Sequence, residues 1–579
     1  MNNFIKAAIG AGAAAAATGA AIGISKLKKN NFCPKCYIKK LQAAKNYNLP
    51  DSALYNNSAA LTPPMGWSSW NAFRQNIDEN LIYDMALVMK ESGLLDAGYK
   101  YVNLDDCWHS SMRDENGKLQ GDLAKFPSGI KALCEKVNSL GLKLGIYTSN
   151  GTLTCEDLPA SLGKEAIDAD TFAQWGIEFF KYDFCHNVPI SGEGPDLDRI
   201  YIAPAGSSDE QIIEAETGRL TGTARIMSSS KMESGKYVTG LGYANGAVEF
   251  DNVEVQEDGE YTLTLGTRKN GEYEKFAQIV INSTDKYDIT IPPTKTWTPV
   301  GRDQIRVKLK KGKNTIKIHN PIGSKMDSAA YQYMNMGKEL KRATKEYAEK
   351  NGTQEKPIVF SICEWGKNKP WKWGRQAGNL WRTTPDIMAN WPSIVGIYEF
   401  NVRLAEYAGK GGWNDPDMLE VGNGKLTYEE NKTHFTLWCM MAAPLILGND
   451  LRKFRNPDGT IDKDNKVLKI LTNRELIAID QDELGVQCRR YKMGVVDILV
   501  KPLADKSFAL CFFNKGVTPA NAKADLSDIC NQSYVQTEKA NSYTAKELWS
   551  GEELTLGNTI SAQLPPRGVK VYRVYPSNR

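Results

Sequence analysis

From residue 61 onward, short apolar runs end on polar or aromatic residues, and longer stretches of helical spacing separate them. The runs are MGWSSW (65–70), YKYVNLDDCW (99–108), LKLGIYTSNG (142–151), IEFFKYDFC (177–185), PIVFSICEW (357–365), NLWRTTPDI (379–387), GGWNDPDML (411–419) and APLILGND (443–450). Between the early ones lie NLIYDMALVMKESGLLDAG and SGIKALCEKVNSLG, the latter closing on glycine as a helix C-terminus does. Strand and helix alternating about eight times predict a (β/α)8 barrel. The spacing breaks between residues 186 and 330, where GKYVTGLGYANGAVEFDNVEVQEDGEYTLTLGTRKNG and DQIRVKLKKGKNTIKIHN alternate with period two between Gly and Asn turns. That pattern predicts an antiparallel sandwich inserted after the fourth barrel strand, on the face where loops tolerate insertion. The helix YMNMGKELKRATKEYAEKNG resumes the barrel, and alternation after residue 475 predicts a C-terminal antiparallel β-domain. The expected divisions are 1–59 leader and linker, 60–190 and 331–478 barrel, 191–330 insert and 479–579 C-terminal sandwich.

Active sites of such barrels lie at the C-terminal strand ends. The acidic residues fall at that end: Asp105 and Asp106, Asp183, Glu364, Asp386, and Asp415 and Asp417. Trp67, Trp70, Trp108, Tyr147, Trp365, Trp381 and Trp413 accompany them, with Lys181 and Arg382 adding positive charge. Carboxylates accept hydrogen bonds from hydroxyls and rings cover apolar C–H faces, so the set suits a sugar. Cleaving a glycoside with retention takes one carboxylate to attack the anomeric carbon and one carboxylic acid to protonate the departing oxygen. In GIEFFKYDFC, Lys181 and Asp183 share a strand face, so the cation favours an ionised nucleophile at Asp183. Asp386, set among Pro and Ile in RTTPDI, is the expected acid with a raised pKa. Asp415 and Asp417 in NDPD also read as turn formers. Cys155 and Cys185 lie at neighbouring strand ends and read either as small core residues or as a disulfide.

Composition narrows the field. A net charge of +4 on 579 residues, without a long basic run in the folded part, points to no nucleic-acid partner. The four histidines (His109, His186, His319 and His434) are scattered, so a histidine-based catalytic metal is not expected. Cys33 and Cys36 form one CxxC without a second, which does not complete a zinc knuckle. Residues 7–25 are uncharged and rich in Ala and Gly, which fits an export signal, a membrane tether or a disordered leader. A secreted or membrane-tethered location is favoured over a cytoplasmic one, and the oligomeric state is not readable.

With these motifs in view, LTPPMGWSSWNAF, YVNLDDCW, LGIYTSNG, KYDFC, CEWG, WRTTPDI and GGWNDPDML resemble glycoside hydrolase family 27, the α-galactosidase family, over about residues 60–185 and 330–579. The resemblance implies a retaining enzyme that uses no metal in catalysis, with Asp183 as nucleophile and Asp386 as acid/base. It places galactose contacts on Trp70, Asp105, Asp106, Tyr147, Lys181, Glu364, Trp365, Arg382 and Asp417, and a disulfide on Cys155 and Cys185. Retention of Asp105 implies galactose rather than arabinopyranose, and Glu364 with Trp365 would crowd an N-acetyl group at C2. Two departures stand out: the stretch WGKNKPWKWGRQAG, and Cys363, which has no partner downstream in that loop.

The insert, through IIEAETGRL, GKYVTGLG, GEYTLTLG, TWTPV and GKNTIKI, resembles carbohydrate-binding modules of family 35 or 6, which are jelly-roll sandwiches. That resemblance implies a structural calcium ion on Glu214, Glu216 and Asp327, a ligand set of the oxygen type calcium takes. The expected activity is exo-cleavage of terminal α-galactose from oligosaccharides or glycans. The rivals are an α-N-acetylgalactosaminidase, a β-L-arabinopyranosidase, or a glycan-binding protein without catalysis.

Overall fold

The computed structural model describes residues 54–268, 274–291 and 301–577. The expectations for residues 7–25, for Cys33 and Cys36, and for the TWTPV motif fall outside the described residues. Among the described residues no helix is long and apolar enough to cross a membrane. The chain forms two compact units, Pro189–Ser328 and residues 51–188 with 329–579.

In the larger unit eight strands make one parallel sheet: β1 (Met65–Ser68), β2 (Tyr101–Asn103), β3 (Lys143–Ser149), β4 (Phe179–Asp183), β5 (Val359–Ile362), β6 (Leu380–Arg382), β7 (Trp413–Asp415) and β8 (Leu445–Leu447). Their order is β7-β6-β5-β4-β3-β2-β1-β8. The curled sheet closes just beyond β7, where Leu419 N donates to Ile446 O at 2.8 Å and Gly448 N to Leu419 O at 3.1 Å. The strands are buried nearly throughout, as a parallel sheet with covered faces requires.

Strand alternation sorts the barrel into layers. Phe180 and Tyr182 of β4 point outward, where Phe180 meets Phe172 and Tyr182 meets Tyr333 of the helix Lys325–Asn351. Phe179, Lys181 and Asp183 point inward. Phe179, Leu380 and Trp413 belong to one apolar cluster at the floor. Two residues further along the same strands come Lys181, Arg382 and Asp415. The floor is thus apolar and the layer above it charged, and this sets the site.

The C-terminal domain holds a six-stranded and a two-stranded antiparallel sheet around a core that includes Phe508, Phe512, Tyr543 and Val574. The unit Pro189–Ser328 is a sandwich of two antiparallel sheets, its core built from alternating residues such as Leu263, Leu265, Ile279, Ile316 and Ile318.

Candidate active site

The charged layer is held by direct contacts. Lys181 Nζ donates to Asp105 Oδ2 at 2.8 Å, and Ser68 Oγ donates to the same oxygen at 3.3 Å. The Asp105 Oδ1 atom accepts from Asp106 N at 2.9 Å; Asp106 in turn accepts from Cys107 N at 2.7 Å and Glu156 N at 3.1 Å. Tyr147 lies buried under Lys181, whose ammonium is 5.2 Å from the ring centroid. Arg382 is buried and its Nη2 bridges Asp386 Oδ1 at 2.7 Å and Asp417 Oδ2 at 2.8 Å. Asp417 has φ +81°, and its Oδ2 also accepts from Ile387 N at 2.8 Å, which ties β7 to the loop of Asp386.

Asp183 is 5% exposed and accepts from Phe184 N at 2.8 Å. Burial pushes its carboxyl up to about 6, against the opposing pull of Lys181 and the Phe184 amide. Burial also raises Asp106 and Asp415 to about 6. Burial alone would lower the Lys181 ammonium, but Asp105 and its neighbours more than offset it, and its pKa stands well above the ordinary value. For Asp386, burial pushes upward, yet Arg382, Lys181 and Arg74 together hold the carboxyl below the ordinary carboxylate range. The raised acid expected at Asp386 is therefore corrected. Its side chain is 75% exposed and sits on a guanidinium, rather than in an apolar niche.

Of the residues expected to touch sugar, Asp105, Asp106, Tyr147, Lys181, Arg382 and Asp417 come together here, with Asp183 and Asp386 among the same cations. Trp70 stands two residues beyond the end of β1, and half-buried Trp365 meets Phe184, the neighbour of Asp183, edge to face at 6.4 Å. Glu364 is a correction. It is 0% exposed, and its carboxylate accepts from Asn368 N at 3.0 and 2.7 Å and from Asn368 Nδ2 at 2.8 Å. It holds its own loop, and burial pushes its carboxyl up to about 8. The alternation of β5 turns Ser361 inward, beside Lys181, and the strand ends at Ile362. Cys363 lines the cavity beside Lys181, Asp415 and Asp417, with Arg382 Nη1 at 3.7 Å from its sulfur.

Cys155 and Cys185 are joined as a disulfide with Cα atoms 5.1 Å apart. Their sulfurs and Asp183 are the one group of three metal-ligating side chains found close together among the described residues. With both sulfurs bonded to each other, the group offers no thiolates.

The expected calcium ligands do not assemble. Asp327 Oδ2 accepts from Gly323 N at 3.1 Å and Ser324 Oγ at 2.8 Å. Glu214 instead faces Arg199, whose guanidinium is 3.3 Å away and also pairs with Asp198 at 2.8 Å and Glu233 at 2.5 Å. One oxygen each of Glu214, Glu216 and Asp327 is buried without a hydrogen bond, although among the described residues the three carboxylates are not found as one close donor set. Arg199 is the cation that meets the charge of Glu214 there.

Comparison with known proteins agrees with this geometry. Residues 62–196 and 323–482 match the family described as alpha galactosidase A, residues 493–574 match the alpha galactosidase C-terminal beta sandwich domain, and residues 211–336 match carbohydrate binding module family 35. The chain is 32% identical to alpha-galactosidase 2 of Arabidopsis thaliana over 90% of this chain and 91% of that one. It is 31% identical to alpha-galactosidase A of Cellvibrio japonicus over 89% and 93%. The crystal structure of alpha-galactosidase I from Mortierella vinacea superposes with a TM-score of 0.61 at 27% identity, covering 90% of this chain and 99% of that one.

Proposed function

This chain belongs to the α-galactosidase family, glycoside hydrolase family 27, and on that premise we propose that it is a retaining exo-α-galactosidase acting on terminal α-galactose of oligosaccharides or glycans. Members of the family need no catalytic cofactor, and no calcium enters this reading. The observation that carries it is the pair of carboxylates, Asp183 pointing inward at the end of β4 and Asp386 following β6, both under the charges of Lys181 and Arg382.

In the first step the Asp183 carboxylate attacks the anomeric carbon, and the bond to the leaving oxygen breaks as Asp386 gives that oxygen its proton. In the second step Asp386 takes a proton from water, the water oxygen displaces the Asp183 ester, and both carboxyl groups return to their starting forms. Lys181 and Asp105 form a donor–acceptor pair for the ring hydroxyls, with Asp106 and Tyr147 beside them. Asp386 must accept a proton while bound to Arg382, so sugar hydroxyls that compete for the guanidinium favour the acid form.

The retained Asp105 favours galactose over arabinopyranose. Discrimination against an N-acetyl group falls to Trp365, because Glu364 faces its own loop. Hydrolysis of a panel of nitrophenyl α-galactoside, α-N-acetylgalactosaminide, β-L-arabinopyranoside and α-glucoside tests the assignment. Preference for the α-galactoside is expected. Preference for another sugar would overturn the specificity and leave the chemistry, whereas silence on all four from folded protein would favour glycan binding without catalysis.

A further inference from the structure

Two cations at the mouth of the site have no role in the mechanism above. Arg74 ends the short helix Trp70–Phe73 that follows β1, and its guanidinium lies 5.1 Å from the centre of the Trp70 ring. Lys367 follows β5, with its ammonium 4.2 Å from the centre of the Trp365 ring. Both side chains are exposed, and among the described residues neither makes an ion pair or a side-chain hydrogen bond. Neighbouring basic residues differ in this: Arg452 pairs with Asp450 at 2.8 Å, and Arg455 with Asp84 at 2.6 Å.

The backbone at Arg74 adds a second argument. Its φ is +51° and ψ is −128°, a conformation that glycine enters freely and a residue with a Cβ does not. Glycine would relieve the strain, so a long charged side chain there is best explained by its reach. Its field acts on Asp386 and on Glu420, so the guanidinium lies near the expected acid/base. Lys367 stands over Trp365, which meets the ring of Phe184 next to Asp183. Two cations without a direct ion pair, each over an aromatic face that is itself flat enough to receive a sugar, thus follow two of the strands that carry the site.

We propose that the aglycone side of this site is built for an anionic group, with Arg74 and Lys367 receiving a carboxylate or sulfate carried by the sugar next to galactose. The proposal rests on the galactosidase reading and narrows its substrate class. It changes no step of the chemistry, since the anion is bound and not transformed.

The test compares kcat/KM for melibiose, for melibionate, and for melibiose sulfated on its glucose unit. The galactosyl bond is the same in all three. At low ionic strength an anionic substrate is expected to be favoured by about threefold to tenfold, the range two exposed ion pairs supply. The advantage is expected to vanish in 1 M salt, where the screening length drops to about 3 Å. Arg74→Gln and Lys367→Gln are each expected to shrink the ratio of anionic to neutral substrate, and the double variant to bring it to one. Preference in one arm or both supports the proposal and identifies the group. A ratio at or below one in both arms, or a ratio that survives the double variant, overturns it while the galactosidase reading stands. Absence of turnover on melibiose and on nitrophenyl α-galactoside would instead overturn the reading beneath it.

Discussion

Asp183 and Asp386 show how burial and a single guanidinium divide two like residues. Burial lifts Asp183 to about 6, while Arg382 with Lys181 and Arg74 overcomes burial at Asp386 and keeps it low. The free enzyme therefore holds its last proton mostly on Asp183, the reverse of the arrangement the reaction uses. The reactive form is a minor tautomer of the singly protonated pair, and its fraction is constant between the two apparent pKa values. The profile of kcat/KM is then expected to be bell-shaped, with a basic limb near pH 6 and an acid limb below the ordinary carboxylate value of 3.8. A basic limb well above 7 would contradict the assignment. Asp386→Ala is expected to slow a substrate with a poor leaving group by about 10²–10⁴-fold and nitrophenyl galactoside cleavage far less at the glycosylation step, which pre-steady-state rates resolve. The sequence shows Lys181 and Asp183 on one face because strand parity is written into KYD. The electrostatic outcome was not legible there, because it depends on which loop brings Asp386 onto Arg382. Just beyond β5, Cys363 lines the cavity while the carboxylate of Glu364 is taken up by Asn368, and the motif CEWG does not announce that hydrogen bond. Glu364→Gln is accordingly expected to leave the ratio of α-galactoside to α-N-acetylgalactosaminide turnover unchanged.

At the scale of elements, all eight apolar runs contain a barrel strand, and the strands are shorter than the runs, from three residues in β2 to seven in β3. The polar tails of the runs are the loops that carry the site. The loop after β3 and the end of β4 are fastened by Cys155–Cys185, directly beside Asp183. Cys155→Ser with Cys185→Ser is expected to lower stability by about 2–4 kcal/mol and to reduce kcat/KM, measured by denaturant melts and by steady-state rates. Gly366 has φ +76°, and a Cβ there would lie 2.2 Å from the Thr383 carbonyl oxygen, next to Arg382. The loop that seats Glu364 on Asn368 thus depends on that glycine. The surroundings of the expected calcium set were not legible in the sequence. Spacing in EAE brings Glu214 and Glu216 near each other, but no spacing shows that Arg199 arrives from the strand Asp196–Pro204 to meet Glu214.

For the whole molecule, the catalytic barrel and the C-terminal sandwich share a buried polar network. Asp497 is 0% exposed; it accepts from Tyr398 Oη at 2.8 Å and pairs with Lys515 at 3.0 Å and Arg490 at 3.3 Å. Glu399, next to Tyr398, pairs with the same Arg490 at 2.7 Å and Lys515 at 2.8 Å. Asp497→Ala strands the Tyr398 phenol and leaves Arg490 and Lys515 with Glu399 alone, and is expected to lower stability by about 1–3 kcal/mol, with barrel and sandwich losing structure in one thermal transition. A sandwich that melts apart from the barrel would contradict this coupling. Alternation alone located the sandwich in the sequence, whereas the network joins residues about a hundred positions apart and no local pattern announces it.

The measurement that tests the central claim most directly is mass spectrometry of the full chain after reaction with 5-fluoro-α-galactosyl fluoride, which slows breakdown of a glycosyl-enzyme. The account predicts one galactosyl adduct per chain, carried on Asp183 in the peptide containing KYDFC. No adduct from enzyme that turns over galactosides, or an adduct on Asp386, would contradict it.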